Sequence, residues 1–138
     1  MTYDQDDVNS LALVAWKEAR GERTVGMRGV MHVVVNRVSA VGFPKTIHDV
    51  IYQKNAFSSM TLIGDPEFNL QPAADDSFYA YCLQTAPQIL NGTDPDNTFG
   101  AVWYANEANV TSGWYKTNII DNPAHPVTAV IGRQMFRK

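Results

Sequence analysis

Met27, Val30, Met31, Val34, Val38 and Val41 recur at helical spacing, and "HVVVNRV" fills the faces between them with further apolar residues. β-Branching favours a strand, yet the periodic series runs well past strand length, so the pattern predicts a helix. It spans about Val25 to Ala40, capped by Thr24 and ended by Gly42 and Pro44. A helix that is apolar on most of its faces must be covered on most of them, which makes it the central helix of a domain. The remaining elements have to form its shell.

Before it, Asp4, Asp6 and Asp7 precede Val8, Leu11, Ala12, Ala15 and Ala19. That is one apolar stripe with acids at the positive end of the helix dipole, giving a helix from about Asp6 to Arg20 with Gly21 as its stop. After it, Thr46 opens a short helix in "TIHDVIYQ" that stops near Lys54, and residues 55 to 74 read as a long irregular loop. Asp75 and Asp76 start another helix running to about Asn91, kinked by Pro87 and ended by Gly92. The texture then changes. "GAVWYAN" and "VTAVIGRQMF" read as two short strands that pair as a small sheet, with the polar, aromatic "SGWYKTNIIDNPAHP" between them. A chain of 138 residues supports one core. With neither repeat nor linker, residues 1–138 form a single domain, mainly α (α+β): a helical bundle with a small β-hairpin.

Composition narrows the function. Charged residues are 18% of the chain, the net charge is −3, and the cations are scattered, which argues against nucleic acid as a partner. No apolar run approaches a membrane span, so membrane insertion is not expected. The acidic start "MTYDQDDVNS" resembles neither a secretory signal nor a transit peptide, and a chain without an export address is expected. Cys82 is alone, so no intramolecular disulfide forms.

Against that background "WKEARGE" stands out, with Glu18 and Glu22 four apart at a helix end. Glu18 borders the buried stripe and lies in the last turn, where desolvation and the dipole both disfavour a carboxylate. Those are the conditions of a general acid working near neutral pH. The plainer alternative is a solvated glutamate paired with Lys17, Arg20 or Arg23. His32, His48 and His125 invite a zinc site, but they fall in three segments without metal-ligand spacing, and no cofactor is expected. Tyr52, Phe57, Trp103, Tyr104, Trp114 and Tyr115 lie beside Gln53, Ser58, Asn106 and Asn109. Aromatic faces interleaved with amides suit sugar rings, although some of these rings must build a second small core.

"EARGE" with "NR" downstream, then "FPKTIHDVIYQ", "FS", "VWYAN" and "IGRQMF", resembles the SleB-type cell wall hydrolases, which include spore cortex-lytic enzymes and related phage lysins. The likeness runs from about Leu11 to Phe136. It implies a fold like that of lysozymes and lytic transglycosylases, with peptidoglycan glycan strands as substrate. It implies Glu18 as the catalytic acid, with Glu22, Asn36, Arg37, Tyr52, Gln53, Phe57, Ser58 and Tyr104 as cleft or cleft-support residues. Where the family has Asn-Pro after the aromatic strand this chain has "YANEAN", so Asn106 keeps the amide in a different loop.

A retaining glycosidase needs a second carboxylate about 5 Å from the first. Glu22, Asp49 and Asp65 are the candidates, and none is well placed in sequence. One glutamate alternating as acid and base fits a lytic transglycosylase better than a hydrolytic muramidase. A zinc amidase built on the three histidines, or a wall-binding or virion protein without turnover, are the rival readings. Lacking the long N-terminal module of the spore enzymes, the chain is expected to be a monomeric phage endolysin, made in the host cytoplasm and released through a holin pore or carried in a virion.

Overall fold

The computed structural model describes residues 2–138. Helix α1 (Gln5–Ala19) opens with a reciprocal cap: Asp4 accepts from the Asp7 amide while the Asp7 carboxylate accepts from the Asp4 amide. Its apolar stripe puts Leu11, Ala12, Val14 and Ala15 out of reach of water. The chain leaves α1 through a 3₁₀ turn, Arg20–Glu22, and enters α2 (Arg23–Ser39). The left-handed backbone at this junction belongs to Arg23 (φ 63°) and not to Gly21, and Glu22 rather than Thr24 occupies the N-cap position.

Helix α2 is indeed central, with Met27, Val30, Met31, Val33 and Val34 all buried. It is not apolar on every face, however. Arg28, His32 and Asn36, one turn apart, form a polar edge bonded to the 91–101 loop. Arg28 Nε donates to Asp94 Oδ2 at 2.7 Å, and His32 Nε2 lies 2.7 Å from the same oxygen. Asn36 Nδ2 donates to Asp96 Oδ2 and to the Ala101 carbonyl, each at 2.9 Å. Val41, the last member of the periodic series, falls beyond the helix and is 98% exposed.

Helix α3 (Ile47–Ile51) is capped by Thr46. The predicted 55–74 loop contains one helical turn, α4 (Ser58–Thr61), whose Ser59 and Met60 are buried. Helix α5 (Ser77–Leu90) is capped by Asp76, contains Pro87 and packs Cys82, Ala86 and Ile89 against α1 and α2. Gly92, at φ 81°, turns the chain away from it.

The sheet has three strands, one more than the sequence suggests, because "VTAVIGRQMF" is itself a hairpin. Strands β1 (Trp103–Ala105), β2 (Val127–Ile131) and β3 (Gln134–Arg137) run antiparallel in the order β1-β3-β2. Phe136 lies opposite Tyr104 in the β1–β3 register and is fully buried with Val33 and Ala101 in a second, small core. The sheet meets α2 at Gly29, where an added Cβ would lie 2.9 Å from the Phe136 ring and 3.4 Å from Ile131. Between β1 and β2 the chain makes a 3₁₀ turn (Glu107–Asn109), a short helix α6 (Gly113–Tyr115) and a π turn (Lys116–Ile120) anchored by buried Ile119.

Candidate active site

Glu18 sits in the last turn of α1, half-buried, with both carboxylate oxygens engaged by hydroxyls. Ser59 Oγ, from α4, donates to Oε2 at 2.6 Å. Tyr104 Oη, from β1, donates to Oε1 at 2.8 Å. The two donors come from opposite halves of the fold, 41 and 86 residues away in sequence, so the carboxylate is fixed where the halves meet.

Each donor is itself held. Ser59 is 1% exposed. Tyr104 stacks on Phe136 with ring centroids 5.7 Å apart. Burial, then the charge of Glu18, pushes the Tyr104 phenol well above its usual range, so it stays a donor through the neutral range. Arg37 lies beneath, buried, its Nε donating to the Val102 carbonyl at 2.8 Å and its guanidinium 5.0–5.5 Å from the rings of Phe43, Phe57 and Trp103. Burial lowers its pKa, while Tyr104, Tyr115 and Glu18 oppose the shift; the guanidinium remains a cation.

Beside Glu18 opens a cleft of about 710 Å³. One wall is the Gln53–Ala56 turn, and the other is Trp103–Ala105 with Val110–Ser112, Trp114 and Tyr115. Its aromatic wall is a packed set: Trp103 lies 6.1 Å from Trp114 and 6.2 Å from Tyr115. Trp114 is 60% exposed and offers a ring face to a ligand. Volume, aromatic lining and a few directed polar groups are what a polar ligand with apolar faces requires.

Of the residues the sequence singles out, the structure brings Glu18, Arg37, Gln53, Trp103, Tyr104, Trp114 and Tyr115 to the cleft. Phe57 is 1% exposed and serves as a floor under Arg37. Tyr52 points away and packs on His48, with centroids 4.7 Å apart, and Ser58 Oγ donates to Asp65 at 2.6 Å. Asn36 is spent on the 96–101 loop, and Asn106 leads into the 3₁₀ turn without lining the cleft. Glu22 accepts from Arg133 Nε at 3.2 Å and fills the space over Gly132, where a Cβ would collide with its carboxylate. It therefore closes the β2–β3 turn and takes no part in the cleft. Ser59, the second serine of "FSS", holds Glu18, one position after the Ser58 that the resemblance implies.

Among the described residues, Glu18 is the one carboxylate lining the cleft. The Asp49 carboxylate faces His48, and that of Asp65 accepts from Ser58 and the Glu67 amide. The three histidines do not converge: His32 pairs with Asp94, His48 with Asp49, and His125 Nδ1 lies 2.9 Å from the Lys138 carbonyl. Among the described residues, no group of three or more His, Cys, Asp or Glu side chains is arranged to hold a metal ion.

Comparison with known proteins places the chain in a family. The Cell Wall Hydrolase family pattern matches residues 21–136, starting just downstream of Glu18. A spore cortex-lytic enzyme of Bacillus cereus is 31% identical over 99% of this chain and 46% of its own length. One from Oceanobacillus iheyensis is 32% identical over 99% of this chain and 43% of its own. The chain thus spans a little under half the length of these relatives. Among solved structures, the catalytic domain of the germination-specific lytic transglycosylase SleB from Bacillus anthracis superposes with a TM-score of 0.74 at 29% identity, covering 99% of this chain and 97% of that one. The catalytic domain of Bacillus cereus SleB gives the same TM-score and identity, with 99% and 93% coverage. The helical domain with its small sheet is the fold of those SleB domains, and this chain belongs to the cell wall hydrolase family of SleB type.

Proposed function

We propose that this chain degrades peptidoglycan as a lytic transglycosylase, cutting the β-1,4 bond between N-acetylmuramic acid and N-acetylglucosamine with Glu18 as its single acid and base. The observation that carries the proposal is one carboxylate in the cleft, gripped by Ser59 and Tyr104, opposite an aromatic wall. Family membership and the similarity to the catalytic domain of a germination-specific lytic transglycosylase support it.

In this reading Glu18 gives its proton to the glycosidic oxygen as the bond to C1 breaks. The N-acetyl carbonyl of the muramic residue bonds to C1 and carries the positive charge. The Glu18 carboxylate then takes the proton of the C6 hydroxyl, whose oxygen attacks C1, breaks the bond from C1 to the N-acetyl oxygen and closes a 1,6-anhydro ring. No water is consumed, and on taking that proton the glutamate returns to its starting, protonated state. Ser59 and Tyr104 donate to the ionised carboxylate, the form present between the two steps. A hydrolytic muramidase, the second reading, would put water in place of the C6 hydroxyl.

Mass spectrometry of fragments released from purified peptidoglycan separates the two. The wild type is expected to release anhydro-muropeptides, and Glu18→Gln to lower the rate by about 10²–10⁴-fold, the usual worth of a general acid. Reducing ends in place of anhydro rings would establish the hydrolase. Free stem peptides, or an active Glu18→Gln, would refute the assignment. For the setting we propose a phage endolysin that reaches the wall as a monomer. Among the described residues no helix is long and apolar enough to cross a membrane. In that setting, cytoplasmic expression is expected to lyse cells when a holin-type pore is co-expressed and to leave them intact without one.

A further inference from the structure

The residue beside Glu18 is a lysine with no role in the chemistry above. Lys17 is 7% exposed, and its Nζ donates to the Ser59 carbonyl at 3.3 Å and the Phe68 carbonyl at 2.8 Å. Burying an ammonium against two neutral carbonyls is costly, and an apolar side chain would pack there more cheaply. Burial lowers its pKa, and Glu67 and Asp65 oppose that shift. The loop it reaches already has its own tether, because Arg20 grips Glu67 with two hydrogen bonds of 2.5 and 3.0 Å. A second, buried tether to the same loop is not needed for attachment alone.

What Lys17 reaches and Arg20 does not is Ser59. Consecutive residues of α1 hold that one residue at two points: Lys17 by its carbonyl, Glu18 by its hydroxyl. The backbone of a serine sets the origin of its Oγ, so fixing the carbonyl restricts where the hydroxyl can aim. We infer that Lys17 is a positioning residue for Glu18, acting through Ser59: the pair Lys17–Glu18 clamps α4 so that the hydroxyl stays on the carboxylate. The inference rests on the proposed role of Glu18.

A double-mutant cycle tests it. Ser59→Ala removes a hydroxyl that donates to a carboxylate and is expected to lower kcat by roughly ten- to hundred-fold. Lys17→Met, close in length and uncharged, is expected to lower kcat about five- to ten-fold with KM within about two-fold, since the effect passes through one bond of the clamp. Added to Ser59→Ala, Lys17→Met should change kcat no further. Arg20→Met is the control for a loosened loop: it lowers Tm but leaves kcat unchanged well below the transition. An equal loss of kcat from Lys17→Met in both backgrounds, or the same loss from Arg20→Met, overturns the inference. The Glu18 side-chain carboxyl ¹³C resonance reads the contact without turnover, so it separates this idea from the reaction assignment. Lys17→Met and Ser59→Ala should displace it in the same direction, and an unmoved resonance in Lys17→Met sinks the clamp even if the protein cleaves nothing. Should Lys17→Met not fold, Lys17→Leu, likewise without a donor, gives the same readings.

Discussion

The two sides of the cleft hold Glu18 by different means. On the helical side the support is polar: Ser59 and Lys17 are buried at α1, and Arg20 and Asp65 fasten the same loop nearer the surface. On the sheet side the support is a run of rings, Tyr104 on Phe136 and Trp103 against Trp114 and Tyr115, and part of it stays open to solvent. One side fixes the acid, and the other both fixes it and offers surface to a ligand. The difference implies that damage to the helical side should cost rate or stability. Damage to the outer sheet side should cost affinity.

Arg37 spans the two, and its loss should be the severest. Arg37→Met leaves the Val102 carbonyl without its partner and three rings without their cation, and should destabilise by about 2–4 kcal/mol, read by urea unfolding. A smaller cost would mean that the halves hold together without it. Tyr104→Phe keeps the ring on Phe136 and removes only the donor. It should lower kcat by roughly ten- to hundred-fold with Tm almost unchanged, since a donor to a carboxylate is worth about 1.5–3 kcal/mol. If KM moves instead, the hydroxyl touches substrate more than it touches Glu18.

Acid should loosen the polar edge of α2 before the apolar core. Burial alone would raise the Asp96 pKa, but hydrogen bonds from Thr98, Asn36 and the Gly100 amide hold it below the ordinary value. A depressed pKa contributes stability above the unfolded value of about 3.9 that is lost as pH falls through the folded one. Asp96→Ala should therefore cost about 1–2 kcal/mol near neutrality, with the gap to wild type closing below about pH 4. A constant gap across that range would mean that the loop is held by something other than the carboxylate. The smallest effect is expected at Trp114→Ala, which should raise KM about two- to ten-fold and leave kcat and Tm unchanged, the worth of one aromatic stacking contact. An unaltered KM would remove Trp114 from the binding wall.

What could be read from the sequence follows the range of the forces involved. Helices α1, α2 and α5 are visible because an apolar face repeats every turn, and the caps at Thr46 and Asp76 because a side chain bonds a backbone amide three residues on. Glu18 stands out because a helix end and a family motif coincide there. Its partners do not, because hydrogen bonds spanning 41 and 86 residues leave no local trace. Glu22 shows the reverse failure. It shares the motif and the spacing, yet it faces Arg133 and Gly132, because the turn at Arg20–Glu22 and the left-handed Arg23 send it to the other side. The polar edge Arg28, His32 and Asn36 was present at four-residue intervals and was hidden by the valines around it. The extra strand was missed because Gly132, at φ 57°, turns the chain inside what reads as one apolar run.

Gly29 sets a dimension far from the position it occupies. Nothing but hydrogen stands between α2 and the Phe136 ring, Phe136 carries Tyr104, and Tyr104 touches Glu18. A methyl group there would act as a shim, pushing the sheet off the helix and drawing the phenol away from the carboxylate. The gauge of the slot through which a sugar chain would thread is thus written on its back side, in an atom the protein leaves out.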